Sequence, residues 1–297
     1  MQKKRRTDLA LEARELWRES AAQNTALNGV KARDGQREGF PVTTVEILNE
    51  EGEQALGKNR GTYITLTLDA LLHREEDAFG RGARAIAAEL DALLQDFPQD
   101  APVLVVGLGN RAITPDAIGP KVHDHTMVTR HLVAQMPEHF GTFRPVASLS
   151  TGVLGTTGME SGELVEAAVQ KLHPACVIAV DALAARSLNR VCRTVQLADT
   201  GITPGSGVGN HRRALNRDSL GVTVIAVGVP TVVDGATLAA DLIGSDDLPD
   251  LGAGRDMLVT PKDIDSQVAD LSKVIGYGIN LALHPGLTVE DVDLFLS

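Results

Sequence analysis

The chain has 297 residues, 43% of them hydrophobic, and carries 28 Lys+Arg against 39 Asp+Glu, a formal net charge of −11. That length fits one large or two small domains at roughly 150 residues each, and the acidity excludes a general nucleic-acid binder, which would carry a basic face. Aromatic residues at 3% leave no stacking platform for single strands, and two cysteines, Cys176 and Cys192, supply no disulfide framework. No apolar run reaches the roughly 18 residues of a membrane span, and no signal-peptide stretch opens the chain, so a reducing cytoplasm is the expected setting.

The charge is unevenly spread. Lys3, Lys4, Arg5 and Arg6 against Asp8 give the first eight residues a net +3, which leaves −14 on the rest. After them, Leu9, Leu11, Leu16 and Trp17 among Glu and Arg predict a short amphipathic helix from Leu9 to about Arg18. The polar stretch through Gly39 reads as a loop. Val42 to Leu48 and Thr62 to Leu68 are rich in β-branched residues and predict a hairpin-like strand pair. A long helix is expected from Arg74 to Phe97, stopped by Pro98.

A different pattern then begins. Val103 to Val106 is wholly apolar and runs into Gly107-Leu-Gly-Asn110, as expected of a strand buried on both faces. A helical stretch ending near Met136 follows, then a strand from Pro145 to Leu149 and a helix from Glu160 to Leu172. Cys176 to Val180, Thr194 to Leu197 and Val222 to Val229 supply further strands, and helices are expected over Thr231 to Leu242 and Pro261 to Leu283. Strands alternating with helices predict a three-layer α/β sandwich on a largely parallel sheet, with the first strand pair added at an edge. Residues 9–297 form one domain in this reading, with residues 1–8 as an appendage.

Sites in open α/β sheets lie at the carboxyl ends of the strands, where strand order reverses. Asp181 follows the run Cys176 to Val180, and Asp116 lies in the loop after Val103 to Val106. Burial and a second nearby carboxylate both raise an aspartate's pKa. A pair so placed can share one proton, one member acting as base on a water and the other as acid. An N-cap role for each aspartate is the plainer alternative. Gly107, Gly109 and the loop bearing Gly205, Gly207 and Gly209 can offer N–H groups to an oxyanion or simply make tight turns.

Other motifs compete. Gly107-Leu-Gly-Asn-Arg-Ala112 partly matches a dinucleotide fingerprint, but Pro115 and Pro120 interrupt the helix that would receive a pyrophosphate. Asp199-Thr200-Gly201 marks all-β aspartic proteases, and here it reads as a turn. His123-Asp124-His125 would face apart on a helix, which suits a solvated surface better than a metal site. Both cysteines read as small buried thiols.

Several stretches taken together resemble one family. Arg6-Thr-Asp-Leu-Ala-Leu-Glu-Ala13, Val106-Gly-Leu-Gly-Asn110, Thr114-Pro-Asp-Ala117, Asp181-Ala-Leu-Ala-Ala-Arg-Ser187, Pro204-Gly-Ser-Gly-Val-Gly-Asn210 and Pro230-Thr-Val-Val-Asp234 are similar to the germination protease family of endospore-forming bacteria. The resemblance implies an atypical aspartic endopeptidase that degrades small acid-soluble spore proteins. Its expected fold is a phosphorylase/hydrolase-like α/β sandwich similar to hydrogenase maturation proteases. It carries the proposed catalytic roles onto Asp116 and Asp181. It also implies a zymogen that cuts itself between Asp8 and Leu9, as an exposed, free terminus can enter a cleft. Further implications are a homo-oligomer, a tetramer by the resemblance, in the forespore and spore core, with no cofactor and no nucleic-acid or membrane partner. The chain departs from the family in its short leader of eight residues and its short Leu242 to Met257 connection. A hydrogenase-maturation-type protease with a metal at the same acidic positions, a dinucleotide-binding module and a structural spore protein are the rival functions.

Overall fold

Every residue of the strand Val103–Leu108 is buried, which its unbroken apolar sequence requires of a strand covered on both faces. Around it the structure, a computed structural model, builds a mixed sheet. It describes residues 6–20, 27–206, 212–245 and 251–297. In chain order the strands are β1 (Val30–Arg37), β2 (Phe40–Ile47), β3 (Gly61–Thr67), β4 (Val103–Leu108), β5 (Val146–Gly152), β6 (Cys176–Ala185), β7 (Thr194–Ala198), β8 (Thr223–Asp234) and β9 (Leu258–Val259). Their order is β1-β2-β3-β7-β8-β6-β4-β5, with β9 paired to β8. The strands β8, β6, β4 and β5 run parallel, and the others join antiparallel. The α/β character and the parallel centre therefore agree with the sequence, and the antiparallel wing is larger than one added pair.

The helices are α1 (Ala10–Ser20), α2 (Glu50–Leu56), α3 (Asp69–Leu72), α4 (Ala78–Leu94), α5 (Ile118–Asp124), α6 (Arg130–Gln135), α7 (Pro137–Phe140), α8 (Leu154–Thr157), α9 (Ser161–Leu172), α10 (Arg217–Leu220), α11 (Gly235–Ile243), α12 (Ile264–Leu283) and α13 (Val289–Leu296). One core holds Ile86 and Leu90 of α4, Val274 and Ile275 of α12, and Ile118 of α5 against Val105, Ile178 and Ile225 of the sheet. The opposite face is split. Val165 and Val169 of α9 pack with Leu104, Val106 and Val177, whereas Ala10 and Ala13 of α1 pack with Val45, Tyr63 and Ala198. The central strands β8, β6 and β4 lie between the first of these clusters and the α9 cluster on the opposite face.

Several expectations change. The polar stretch before Gly39 contains β1, not only loop: it is an edge strand, mostly exposed, so pairing with β2 rather than burial defines it. The strands β2 and β3 are antiparallel as expected, but α2 links them, closed by Asn49 at its start and by Gly57 in the left-handed region at its end. The long helix expected from Arg74 begins at Ala78, after Asp77 at φ +48°. The helical stretch ending near Met136 is broken into α5 and α6. Two strands outrun their apolar signals: β6 continues through Asp181 to Ala185, and β8 takes Thr231–Asp234, which the sequence assigned to a helix. Both cysteines are buried, and burial pushes each thiol up to about 12.

Candidate active site

Asp116 is brought to the sheet by a 3₁₀ turn, Thr114–Asp116, between β4 and α5. Three contacts hold that turn. Asn110 N–H donates to Asp116 Oδ2 at 2.8 Å, Thr231 Oγ1 of β8 donates to Pro115 O at 2.6 Å, and Thr114 Oγ1 donates to Asp265 Oδ1 of α12 at 2.7 Å. The approach of turn to strand depends on glycine. Gly109 has φ +111°, and a Cβ there would lie 2.1 Å from Asp116 O. A Cβ on Gly119 of α5 would lie 2.2 Å from Leu108 O and 2.5 Å from Val180 O, so this helix sits directly on the ends of β4 and β6.

Asp181 stands within β6, one residue beyond the Gly107–Val180 pairing of β4 with β6. It is 5% exposed, and Ala182 N–H donates to its Oδ1 at 2.9 Å. From β4 the chain moves out to β5, then returns past β4 to β6 and on towards β8. The crevice between β4 and β6 is thus the switch point of the parallel strands, and the two aspartates flank it.

Asp116 and Asp181 line one cavity of about 410 Å³, together with Asp8, Gly109, Gly205 and Arg212. Leu108, Ile113, Leu183 and Val232 give it apolar walls. Burial raises the Asp181 pKa well above the usual carboxylate range, and the charges of Asp116 and Asp8 push the same way. The Ala182 N–H and Arg212 oppose this. Asp116 is raised less emphatically: burial lifts it, while the Asn110 N–H and Arg212 favour its ionised form. Two buried carboxyls so placed can share one proton. Arg212 pairs at 3.9 Å with Glu160.

Residues 6–9 are held in place. They lie along β6 and the cavity. Asp8 N–H donates to Ala184 O, and Ala184 N–H donates back to Asp8 Oδ2, both at 2.9 Å. Ser206 Oγ donates to Asp8 Oδ1 at 2.9 Å, Lys58 Nζ to Thr7 O at 3.2 Å, and Arg6 N–H to Thr237 Oγ1 at 3.2 Å. Leu9 is fully buried. The expectation of an exposed terminus therefore fails at Asp8 and Leu9, because Leu9 joins the main core and Asp8 finds donors at the cleft. Thr7 Oγ1 accepts from Leu9 N–H at 3.0 Å, a local turn just ahead of α1.

Gly107 lies inside β4, paired with Ser150 and Val180, and a Cβ there would meet Gly119 O at 2.2 Å. Its role is close helix–strand packing, and it does not line the cavity. Gly109 and Gly205 do line it; Gly207 and Gly209 lie outside the described residues. The dinucleotide site is filled by the protein itself, since the Asn110 N–H is taken by Asp116 and α5 spans only Ile118–Asp124. Asp199 Oδ1 accepts from Thr62 N–H at 2.8 Å at the end of β7, a turn as expected. Asp124 pairs with Arg111 at 2.6 Å, and His123 Nδ1 sits 2.6 Å from Ser148 Oγ. Among the described residues no three His, Cys, Asp or Glu side chains gather to hold a metal ion.

With this geometry in place, comparison with known proteins is decisive. A family model described as germination protease matches residues 10–245. The chain belongs to the germination protease family. It is 42% identical to the germination protease of Clostridium perfringens (strain ATCC 13124), over 98% of this chain and 99% of that protein. It is also 42% identical to the germination protease of Caldanaerobacter subterraneus subsp. tengcongensis, over 98% of each chain. Identity to the germination protease of Bacillus cereus (strain B4264) is 36%, over 94% and 93%. As a family member the chain is a peptidase. The first alignment runs over 324 positions against 297 residues here, so that relative carries residues this chain lacks. No helix among the described residues is long and apolar enough to cross a membrane.

Sequence reasoning missed four residues around the leader and the cavity: Arg212, Lys58, Gln196 and Ser206. A glutamine in the otherwise apolar tail of β7, Val195-Gln-Leu-Ala198, was the available signal. Lys58 and Arg212 carried none.

Two expected results follow from the geometry. Gly109→Ala forces the Asp116 turn off β4; with Asp116 in the catalytic role proposed below, peptidase turnover is expected to fall about 100-fold, and turnover within threefold of wild type would contradict that role. Asp181→Asn removes a group whose folded pKa lies above its unfolded value. Below about pH 4 the two proteins should be equally stable. As pH rises from the unfolded towards the folded pKa, the unfolded chain ionises while the buried acid stays protonated, so the wild type loses stability relative to the variant, and the loss is complete above the folded pKa. Denaturant midpoints at acid and alkaline pH check the sign.

Proposed function

We propose that this germination protease family member is an aspartic-type endopeptidase whose Asp116 and Asp181 work as a pair on one water. Asp116, as carboxylate, takes a proton from the water while the water oxygen bonds to the peptide carbonyl carbon. Asp181 gives its proton to the leaving nitrogen as the C–N bond breaks. The pair then exchanges the transferred proton, and the site returns to its starting state.

We further propose that the chain is a zymogen, cut by its own site between Asp8 and Leu9, and that its substrates are small acid-soluble spore proteins. The observation that carries this reading is that Asp8 lines the same cavity as Asp116 and Asp181. The residue before the proposed cut thus shares a cavity with the proposed catalytic groups. Action in the forespore and spore core, as a homo-oligomer and by resemblance a tetramer, completes the proposal. The net charge of −11 suits protein substrates rather than the DNA they coat. The test is incubation with a purified small acid-soluble spore protein after leader removal. Discrete internal cleavage is expected; an intact substrate at long times would overturn the substrate assignment.

A further inference from the structure

Gln196 of β7 and Asp181 of β6 are both paired with Gly228 of β8. Residues in lateral register across a sheet project from the same face, and adjacent strands lie about 4.8 Å apart. Gln196 and Asp181 therefore stand on one face about 10 Å apart, with a glycine between them. The Leu183 side chain covers that glycine, its Cδ1 2.3 Å from where a Cβ of Gly228 would lie, and separates the amide from the buried acid.

The leader meets Gln196 directly. Gln196 Nε2 donates to Asp8 O at 3.3 Å, and Gln196 Oε1 accepts from Ala10 N–H at 2.8 Å. One buried side chain thus brackets the Asp8–Leu9 bond, gripping the carbonyl oxygen before it and the N–H one residue after it. The Oε1 contact is the kind a helix cap makes at the start of α1. The Nε2 contact is not required for capping: it places a donor on the oxygen that gains charge when water adds to the carbonyl.

We infer that Gln196 is a catalytic residue, its side-chain amide stabilising the oxyanion of the tetrahedral intermediate and its carbonyl fixing the register of the chain across the site. The inference rests on the proposed cut at Asp8–Leu9. It moves the oxyanion donor from the glycine turns to a side chain of the antiparallel wing, so the site is built from both halves of the sheet.

The two atoms of the amide make the test selective. Gln196→Glu keeps an acceptor for the Ala10 N–H, where negative charge at a helix start is welcome, and loses the donor. Gln196→Met keeps the volume and loses both. The readout is the first-order rate at which the full chain loses residues 1–8, followed by intact mass, with thermal unfolding run in parallel. Gln196→Glu is expected to unfold near the wild-type temperature and to process about 100- to 1000-fold more slowly. Its deficit should shrink as pH falls and the new carboxyl regains an O–H donor, which a purely structural role would not produce. Gln196→Met should be equally slow at every pH. Wild-type cleavage with either variant within threefold of its rate overturns the role of Gln196 alone. Absence of cleavage in the wild type overturns the cut site and this inference together.

Discussion

Asp116→Asn and Asp181→Asn should each fold and each lose peptidase activity by about 100- to 10,000-fold, the range in which general acid–base groups contribute. The two losses should not multiply. In the proposed dyad the two groups share one proton, and removing either disables the same step, so the double variant is expected to match the worse single one. The environments of the two also make the pH profile specific. Asp116 must be ionised and Asp181 protonated, so activity should fall on the acid side as Asp116 takes up a proton and on the alkaline side as Asp181 loses one. The apparent values belong to the pair. A rate that is flat across pH, or full activity in either variant, would remove the dyad.

The second large effect lies in the anchor of α1. Glu12 is fully buried and holds the loop after β6: its Oε2 accepts from Arg186 N–H at 2.6 Å, and its Oε1 from Ser187 N–H at 3.0 Å and Arg190 Nη1 at 3.2 Å. Thr7 Oγ1 donates to the same carboxylate. Glu12→Ala leaves two backbone N–H groups and part of a guanidinium without their acceptor. Breaking a buried pair of this kind costs about 3–5 kcal/mol. Arg190 retains Glu15 at 2.7 Å, which places the expected loss at the lower end. Glu12→Gln, which keeps an acceptor, should cost less. Denaturant unfolding of the two variants checks the order; equal stability of Glu12→Ala and wild type would contradict it. The anchor has a functional consequence. Glu12 lies after the proposed cut, so α1 stays fastened to β6 when residues 1–8 leave.

Particular residues show what was legible in the sequence. The run Val103 to Val106 announced a doubly covered strand because nothing polar interrupts it, and Asp116 and Asp181 could be singled out from their places after such runs. The continuation of β6 was hidden by Asp181 itself, since a buried carboxylate looks like the end of a strand. The extension of β8 was hidden by Pro230, which stands opposite Leu183 where the pairing with β6 shifts register. The strand β1 has no core-facing pattern to read, because an edge strand is defined by its partner's hydrogen bonds. α13 was missed although Thr288 and Asp291 spell out a capping box. The docking of Asp8 was not legible at all: it depends on Ala184 and Ser206, 176 and 198 residues away.

The central claim is that one acid pair cuts this chain between Asp8 and Leu9. Intact mass of the purified full-length protein, followed over time at mildly acidic pH beside the Asp116→Asn variant, tests it most directly. The expected result is loss of residues 1–8, a new terminus at Leu9 in the wild type, and an unchanged mass in the variant. An unchanged wild-type mass, a terminus elsewhere, or equal processing of both proteins would contradict the account.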